Sequence, residues 1–267
     1  MTTSTTLLVL PGLDGTDVFL RPLLAALPSA IRPLVVSYPE AGSGRYEDLL
    51  KLVRQTIADV PRFYVLAFSF AGPLAIMLAA EEPQRVRGIM LAASFLRLPQ
   101  PRLAPLEFAA VGPVMWLVRT IRRLPIWLFK RPDDPLRVAK AEIWSRVSAR
   151  ALAARVRAVM GVDARTLART CTPPMLCVVF DDDRVVPRAS ADEILECAPS
   201  ARLVALPGHH FAMFADPAPL ARQVVHFVHG EIEAISRDPE SGALEDRRAL
   251  HVADVLKLAL DRARSSD

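Results

Sequence analysis

Ser69 stands where an apolar run of β type, FYVLAF at 63–68, passes at once into an alanine-rich helical run. The small residues Ala67, Ala71 and Gly72 around it allow a sharp turn. A serine at such a strand-to-helix elbow holds its hydroxyl above the strand end, beside a helix N-terminus. That hydroxyl is a poor nucleophile until a neighbouring base takes its proton, so the chemistry requires a histidine oriented by a carboxylate.

All five histidines lie in the last quarter of the chain. His209 and His210 follow the strand-like run 202–206 through Pro207-Gly208, which puts both on a loop at the carboxyl edge of a sheet. Ligands of parallel sheets bind at that edge, and Ser69 belongs to it. His226 and His229 fall on a helical face and read as surface or packing residues. For the acid, Asp181, Asp182 and Asp183 follow directly on the apolar run 175–180. Three carboxylates in a row contain at least one solvated turn residue, and Arg184 is a partner for another. Asp183 precedes the start of a new helix and is placed to turn inward. The loop after the strand 88–93 reads SFLRLPQP and offers no acid, so the carboxylate comes from the later strand.

The elements that must position these groups alternate. Residues 6–10, 33–38, 63–68, 88–93, 175–180 and 202–206 read as strands; 18–27, 46–59, 72–82, 190–197 and 217–229 read as helices. Continuous apolar strands separated by helices specify an α/β fold: a mostly parallel, doubly wound sheet of about six to seven strands, covered on both faces. After the strand 88–93 the alternation stops. From Pro99 to about Thr172 only proline-punctuated helical pieces appear, at 103–111, 114–123, 135–146, 149–160 and 164–169. An all-helical insertion of this kind reads as a cap over one end of the sheet. The expected organisation is a core of 1–98 and 173–231, a helical cap over 99–172, and a charged tail with an amphipathic helix over 232–267.

Composition narrows the function classes. The 267 residues are 52% hydrophobic, enough for a full core. Lys and Arg number 33 against 29 Asp and Glu, and the arginines are spread out, so a nucleic-acid partner is not expected. The three cysteines, Cys171, Cys177 and Cys197, lack C-x-x-C spacing and read as reduced, packed thiols of a cytoplasmic protein without a metal site. The N-terminus has neither the basic start nor the small-residue cleavage site of a signal peptide. Residues 63–80 carry no charge and reach the length of a membrane span, but Ser69, Gly72 and Pro73 in their middle fit a strand followed by a helix.

The chain order Ser69, Asp183, His210 and the motifs around it resemble the α/β-hydrolase fold superfamily, in its cap-bearing, esterase-like branch. LPGLDGTD at 10–17 is similar to the family's oxyanion loop, DRVVP at 183–187 to its acid motif, and PGHHFAMFADP at 207–217 to its histidine motif, whose spacing selects His210 over His209. The resemblance covers about 6–228 and implies a catalytic triad of Ser69, Asp183 and His210. It further implies an oxyanion hole from the backbone N–H groups of Leu13 and Phe70, and a serine esterase that needs no cofactor or metal. Asp14 reads as a turn residue of the GLDG segment. The elbow departs from G-x-S-x-G, with Ala67 and Ala71 in place of both glycines and Phe180 where glycine often precedes the acid. Crowding at Ser69 is the expected consequence.

Phe68, Phe95, Trp116 and Trp127, with Phe70 and Phe129, are candidates to line an apolar substrate pocket under the cap, for small to medium acyl or aromatic esters. The segment 114–131 is apolar, aromatic and basic at once; it reads as a lid helix docked on the core, with weak interfacial contact and no stable membrane insertion. A monomer or homodimer acting on a small-molecule ester is expected. Two other readings keep the same residues: a thioesterase or acyltransferase using this triad, and a domain that binds an apolar ligand without turning it over.

Overall fold

The computed structural model describes residues 4–40, 42–99, 134–198 and 200–236. Six strands, β1 (Thr5–Leu10), β2 (Ile31–Val35), β3 (Phe63–Phe68), β4 (Val86–Ala92), β5 (Met175–Phe180) and β6 (Ala201–Leu206), form one sheet in the order β2-β1-β3-β4-β5-β6. Every neighbouring pair is parallel. The described helices are α1 (Arg21–Ala25), α2 (Tyr46–Thr56), α3 (Gly72–Glu81), α4 (Pro135–Arg146), α5 (Ala149–Gly161), α6 (Arg165–Arg169), α7 (Arg188–Cys197), α8 (Ala212–Ala215) and α9 (Ala218–Ser236).

Strand side chains alternate between two apolar layers, as the two-residue period of a pleated strand requires. Leu8, Val65, Ile89 and Cys177 pack with Leu49 and Val53 of α2, Leu74 and Leu78 of α3, and Ile194 of α7. Leu7, Leu66, Met90 and Val178 pack on the other face with Leu23 of α1 and Leu220, Val224 and Val228 of α9. The uncharged run 63–80 is thus β3 and most of α3, a helix buried almost all round under the sheet. Among the described residues no helix is long and apolar enough to cross a membrane.

Helices α4, α5 and α6 occupy the described part of the chain between β4 and β5. Asp134 caps α4 and Ser148 caps α5, each side chain accepting a backbone N–H of the first turn. Ala139, Ile143, Val147, Ala151 and Leu152 close over Val18 and Phe19 of the loop that follows β1. Each large apolar side chain buried there contributes about 2 kcal/mol. The helical pieces expected at 103–111 and 114–123, and the tail after 236, lie outside the described residues.

Several boundaries differ from the sequence expectation: the helices expected over 46–59 and 217–229 are Tyr46–Thr56 and Ala218–Ser236, and the strand expected over 88–93 is Val86–Ala92. The helix expected over 18–27 forms only at Arg21–Ala25: Pro22 starts it, and the Asp17 carbonyl accepts the N–H groups of Leu20 and Arg21 in a preceding turn. The strand expected over 33–38 is Ile31–Val35; as an edge strand it tolerates Pro33, whose missing N–H costs no inner ladder bond.

Candidate active site

The chain runs from β1 outward to β2 on one side and from β3 outward to β6 on the other, so the sheet's switch point lies between β1 and β3. Crevices form at such points, beyond the carboxyl ends of the strands. Leu10 is in register with Ala67, which brings the loop after β1 beside Ser69. Phe180 is in register with Leu206, which brings Asp183 beside His210.

Ser69 takes φ +52°, a left-handed conformation that a serine adopts only under constraint from its surroundings. It opens the 3-10 turn Ser69–Ala71 that leads into α3. The Ser94 hydroxyl donates to its carbonyl at 2.6 Å, and the Tyr46 hydroxyl donates to the Phe70 carbonyl at 2.9 Å. The tyrosine ring stacks on Phe70 at 4.8 Å between centroids. Ala67 and Ala71 are fully buried without pushing the hydroxyl out of reach of His210. The demand for glycine falls one position later, because a Cβ on Gly72 would lie 2.0 Å from the Ser94 hydroxyl.

Ser69 Oγ lies 3.0 Å from His210 Nε2, and His210 Nδ1 lies 2.7 Å from Asp183 Oδ2. Ser69 and His210 are only 8% and 6% exposed. The second carboxylate oxygen, Asp183 Oδ1, accepts the backbone N–H groups of Val185 at 2.8 Å and Val186 at 2.9 Å. Burial alone would raise the Asp183 carboxyl, but the hydrogen bond and charge of His210 and these two N–H groups outweigh it, and the carboxyl sits below its ordinary value. A carboxylate at Nδ1 favours the tautomer with the proton there, leaving the Nε2 lone pair toward Ser69. Phe68 and Phe211 flank the imidazole at 5.0 and 5.1 Å between ring centroids. His209 is exposed, its Nδ1 accepting the Phe211 N–H; Asp182 is exposed and pairs with Arg184.

Leu13 and Asp14 are the central residues of a turn closed by the Gly15 N–H on the Gly12 carbonyl, 3.0 Å. Asp14 Oδ2 accepts the N–H and the hydroxyl of Thr16, which agrees with a turn residue. Burial raises its carboxyl above the ordinary value, against the lowering effects of Thr16 and Arg155. Gly12 lies over Phe68, where a Cβ would come within 3.1 Å of the ring. The Phe70 N–H belongs to the first turn of a helix, where intrahelical acceptors are lacking.

Of the residues expected to line a pocket, Phe68 packs against His210 and Phe211. Phe95 and Phe70 are buried in the core layer that contains α2 and α3. Trp116, Trp127 and Phe129 lie outside the described residues. A cavity of about 260 Å³ opens beside Arg155, lined in part by Pro39, Gly44, Leu49 and Ala151; none of Ser69, Asp183 and His210 lines it.

Three contributors escaped the sequence reading. Tyr46 and Ser94 act through hydrogen bonds to carbonyls 24 and 25 residues away, which no local pattern announces. Arg155 did leave a trace: it is the charged member of a helical stripe with Ala151 and Leu152, and such a residue is either solvated or, as here, held inside.

The model of the Alpha/beta hydrolase family matches residues 7–223. A protein of Variovorax paradoxus (strain S110) that carries the name carbamate hydrolase RutD is 27% identical over 246 residues, covering 81% of this chain and 89% of its own. The enol-lactonase of Burkholderia xenovorans LB400 superposes with a TM-score of 0.71 at 18% identity, over 85% of this chain and 92% of its own. An esterase of Exiguobacterium antarcticum superposes at 0.72 with 16% identity, over 86% and 93%. These two likenesses speak to the fold, and the family match reaches from within β1 past β6. The chain therefore belongs to the alpha/beta hydrolase family.

Proposed function

We propose that this protein is a serine hydrolase that cleaves carboxylic esters of small to medium apolar acyl or aromatic groups through an acyl-enzyme. The observation that carries the reading is the unbroken hydrogen-bonded series Asp183, His210, Ser69, with separations of 2.7 and 3.0 Å. Ser69 Oγ attacks the ester carbonyl carbon while its proton passes to His210 Nε2, and the carbonyl π pair becomes an oxyanion. The N–H groups of Leu13 and Phe70 face that charge; such donors each stabilise a transition state by about 3 kcal/mol. Collapse of the tetrahedral species breaks the bond to the leaving oxygen, which takes the proton from His210. Water then repeats the sequence on the acyl-enzyme, so ester and water become acid and alcohol. Asp183 holds the imidazole tautomer and stabilises the transient imidazolium. The apolar setting of Phe68 and Phe211 beside His210, with Phe19 packed on Phe211, supports a nonpolar acyl group over a charged one.

The test is labelling with a fluorophosphonate and hydrolysis of p-nitrophenyl butyrate. Wild type is expected to be labelled at Ser69 and to turn the ester over, and Ser69→Ala to do neither. A folded wild type that resists the probe and leaves the ester intact overturns the reading in favour of ligand binding without turnover. Similarity to the named carbamate hydrolase makes a phenyl carbamate the second substrate to compare, and a higher kcat/KM on it would move the assignment from ester to carbamate.

A further inference from the structure

Five consecutive backbone carbonyls, Pro11 to Gly15, are all engaged in the loop that carries Leu13. The Pro11 carbonyl accepts the Tyr38 hydroxyl at 3.2 Å, Gly12 accepts the Gly15 N–H at 3.0 Å, and Gly15 accepts the Tyr38 N–H at 2.9 Å. The remaining two, at the centre of the turn, are held from the helical insertion: Arg155 Nη1 donates to Leu13 O at 3.0 Å and to Asp14 O at 2.7 Å. Its Nη2 reaches the Pro39 carbonyl at 2.6 Å. Each carbonyl of the turn is thus paired, and turning a peptide plane would break a bond.

Arg155 is 1% exposed, and its guanidinium lies 5.5 Å from the centroid of the Tyr38 ring. A buried cation is costly unless its donors find partners in a fixed geometry; here Nη1 and Nη2 serve three carbonyls through the planar fork, while the buried Nε has no hydrogen-bond partner. Glycines clear the recess it occupies. A Cβ on Gly15 would come within 2.9 Å of Arg155 Nη1, and one on Gly44 within 3.0 Å of Arg155 Cγ. The start of the same helix is tied down separately, the Ser148 hydroxyl donating to the Glu40 carbonyl at 2.7 Å. Tyr38 in turn sets its ring against Phe70, the other residue whose N–H serves the oxyanion, at 5.9 Å between centroids.

We infer that Arg155 is a positioning residue for the oxyanion hole: from α5 it locks the Leu13–Asp14 turn so that the Leu13 N–H stays aimed at the developing charge. The inference rests on the serine-hydrolase reading and extends it, because it makes docking of the insertion a condition for oxyanion stabilisation. Arg155 bonds the carbonyls of Leu13, Asp14 and Pro39 and none of Ser69, Asp183 and His210, so its removal acts on the transition state through the loop. Loss of an oxyanion donor lowers kcat by about 100-fold or more, and a displacement of about 1 Å has a comparable effect.

The experiment compares wild type, Arg155→Met and Arg155→Lys by steady-state hydrolysis of p-nitrophenyl butyrate, with active sites counted by complete fluorophosphonate labelling and folding followed by circular dichroism. Per titrated site, Arg155→Met is expected to lose about 100-fold in kcat with KM within about threefold, and Arg155→Lys, which keeps the charge and loses the fork, about 10-fold. The pH profile of kcat/KM should keep its shape, since the Asp183–His210–Ser69 series is untouched. Wild-type kcat per titrated site in either folded variant overturns the inference and leaves the triad reading standing; so does a loss seen only in KM. Should the methionine variant not fold, the lysine variant alone decides between the same outcomes. A wild type without labelling or turnover is the different result that removes the triad reading itself.

Discussion

Ser94 Oγ donates a 2.6 Å hydrogen bond to the carbonyl oxygen of Ser69, so the loop after β4 supports the strained residue at the end of β3. The contact needs bare backbone at Gly72, where a Cβ would meet the Ser94 hydroxyl at 2.0 Å and the Phe95 carbonyl at 2.8 Å. Gly72→Ala is therefore expected to destabilise the fold by about 3 kcal/mol through overpacking. Ser94→Ala costs less and removes one of the two obstructions. In a chemical-denaturation cycle the double variant should be more stable than the sum of the single losses by about 1 kcal/mol. Strict additivity would mean the two residues do not share this contact.

Asp183→Asn should keep the fold and lower kcat by about 10⁴-fold, because an amide at Nδ1 favours the wrong imidazole tautomer. Steady-state kinetics on p-nitrophenyl butyrate check it. A loss below tenfold would assign the orienting role to another group.

Acid stability follows from the same carboxylate. The Asp183 carboxyl lies lower in the folded protein than its ordinary value of 3.8, so the fold favours the ionised form. That contribution is fully present above the unfolded value and is lost as pH falls through the folded one. Melting temperatures from pH 6 down to pH 2 should therefore drop more steeply below about pH 4 for wild type than for Asp183→Asn. Parallel curves would refute the linkage.

Arg21 offers a contrast to Arg155. It bridges Asp17 in the loop after β1 to Glu142 of α4 with bonds of 2.7 to 3.1 Å, yet its side chain is 46% exposed. Its hydrogen bonds to Glu142 and then Asp17 hold the guanidinium above the ordinary value, but water screens the pairs. Arg21→Ala should lower stability by less than about 1 kcal/mol and leave kcat unchanged, with the difference shrinking in 1 M salt. A stability loss well above about 1 kcal/mol would show that the insertion is held mainly by these exposed charges.

The strands and the candidate site were legible where local chemistry is periodic or punctuated. The run 63–68 leads into Ser69, with small residues at 67, 71 and 72 around it, and 175–180 leads into three acids, so the carboxyl edge could be read directly. Boundaries went astray where a single hydrogen bond overrode propensity, as at Asp17, whose carbonyl holds a turn where helical spacing suggested a longer helix. His210 and His209 are neighbours of one type, and their residue chemistry does not separate them. The structure does: one is buried 3.0 Å from Ser69, the other exposed.

By itself the amino-acid order determined the alternation of strands and helices, the all-helical character of 135–169, and the succession of serine, acid and histidine, because apolar period and turn residues act over a few neighbours at a time. Only the tertiary structure decided that Arg155 enters the protein instead of pointing to water, that Ser94 and Tyr46 hold the elbow, and that Gly72 carries the glycine requirement absent at 67 and 71. Each of those joins groups more than twenty residues apart through one to three carbonyls or one missing Cβ, and such contacts exist only once the sheet has set the distances between its edges.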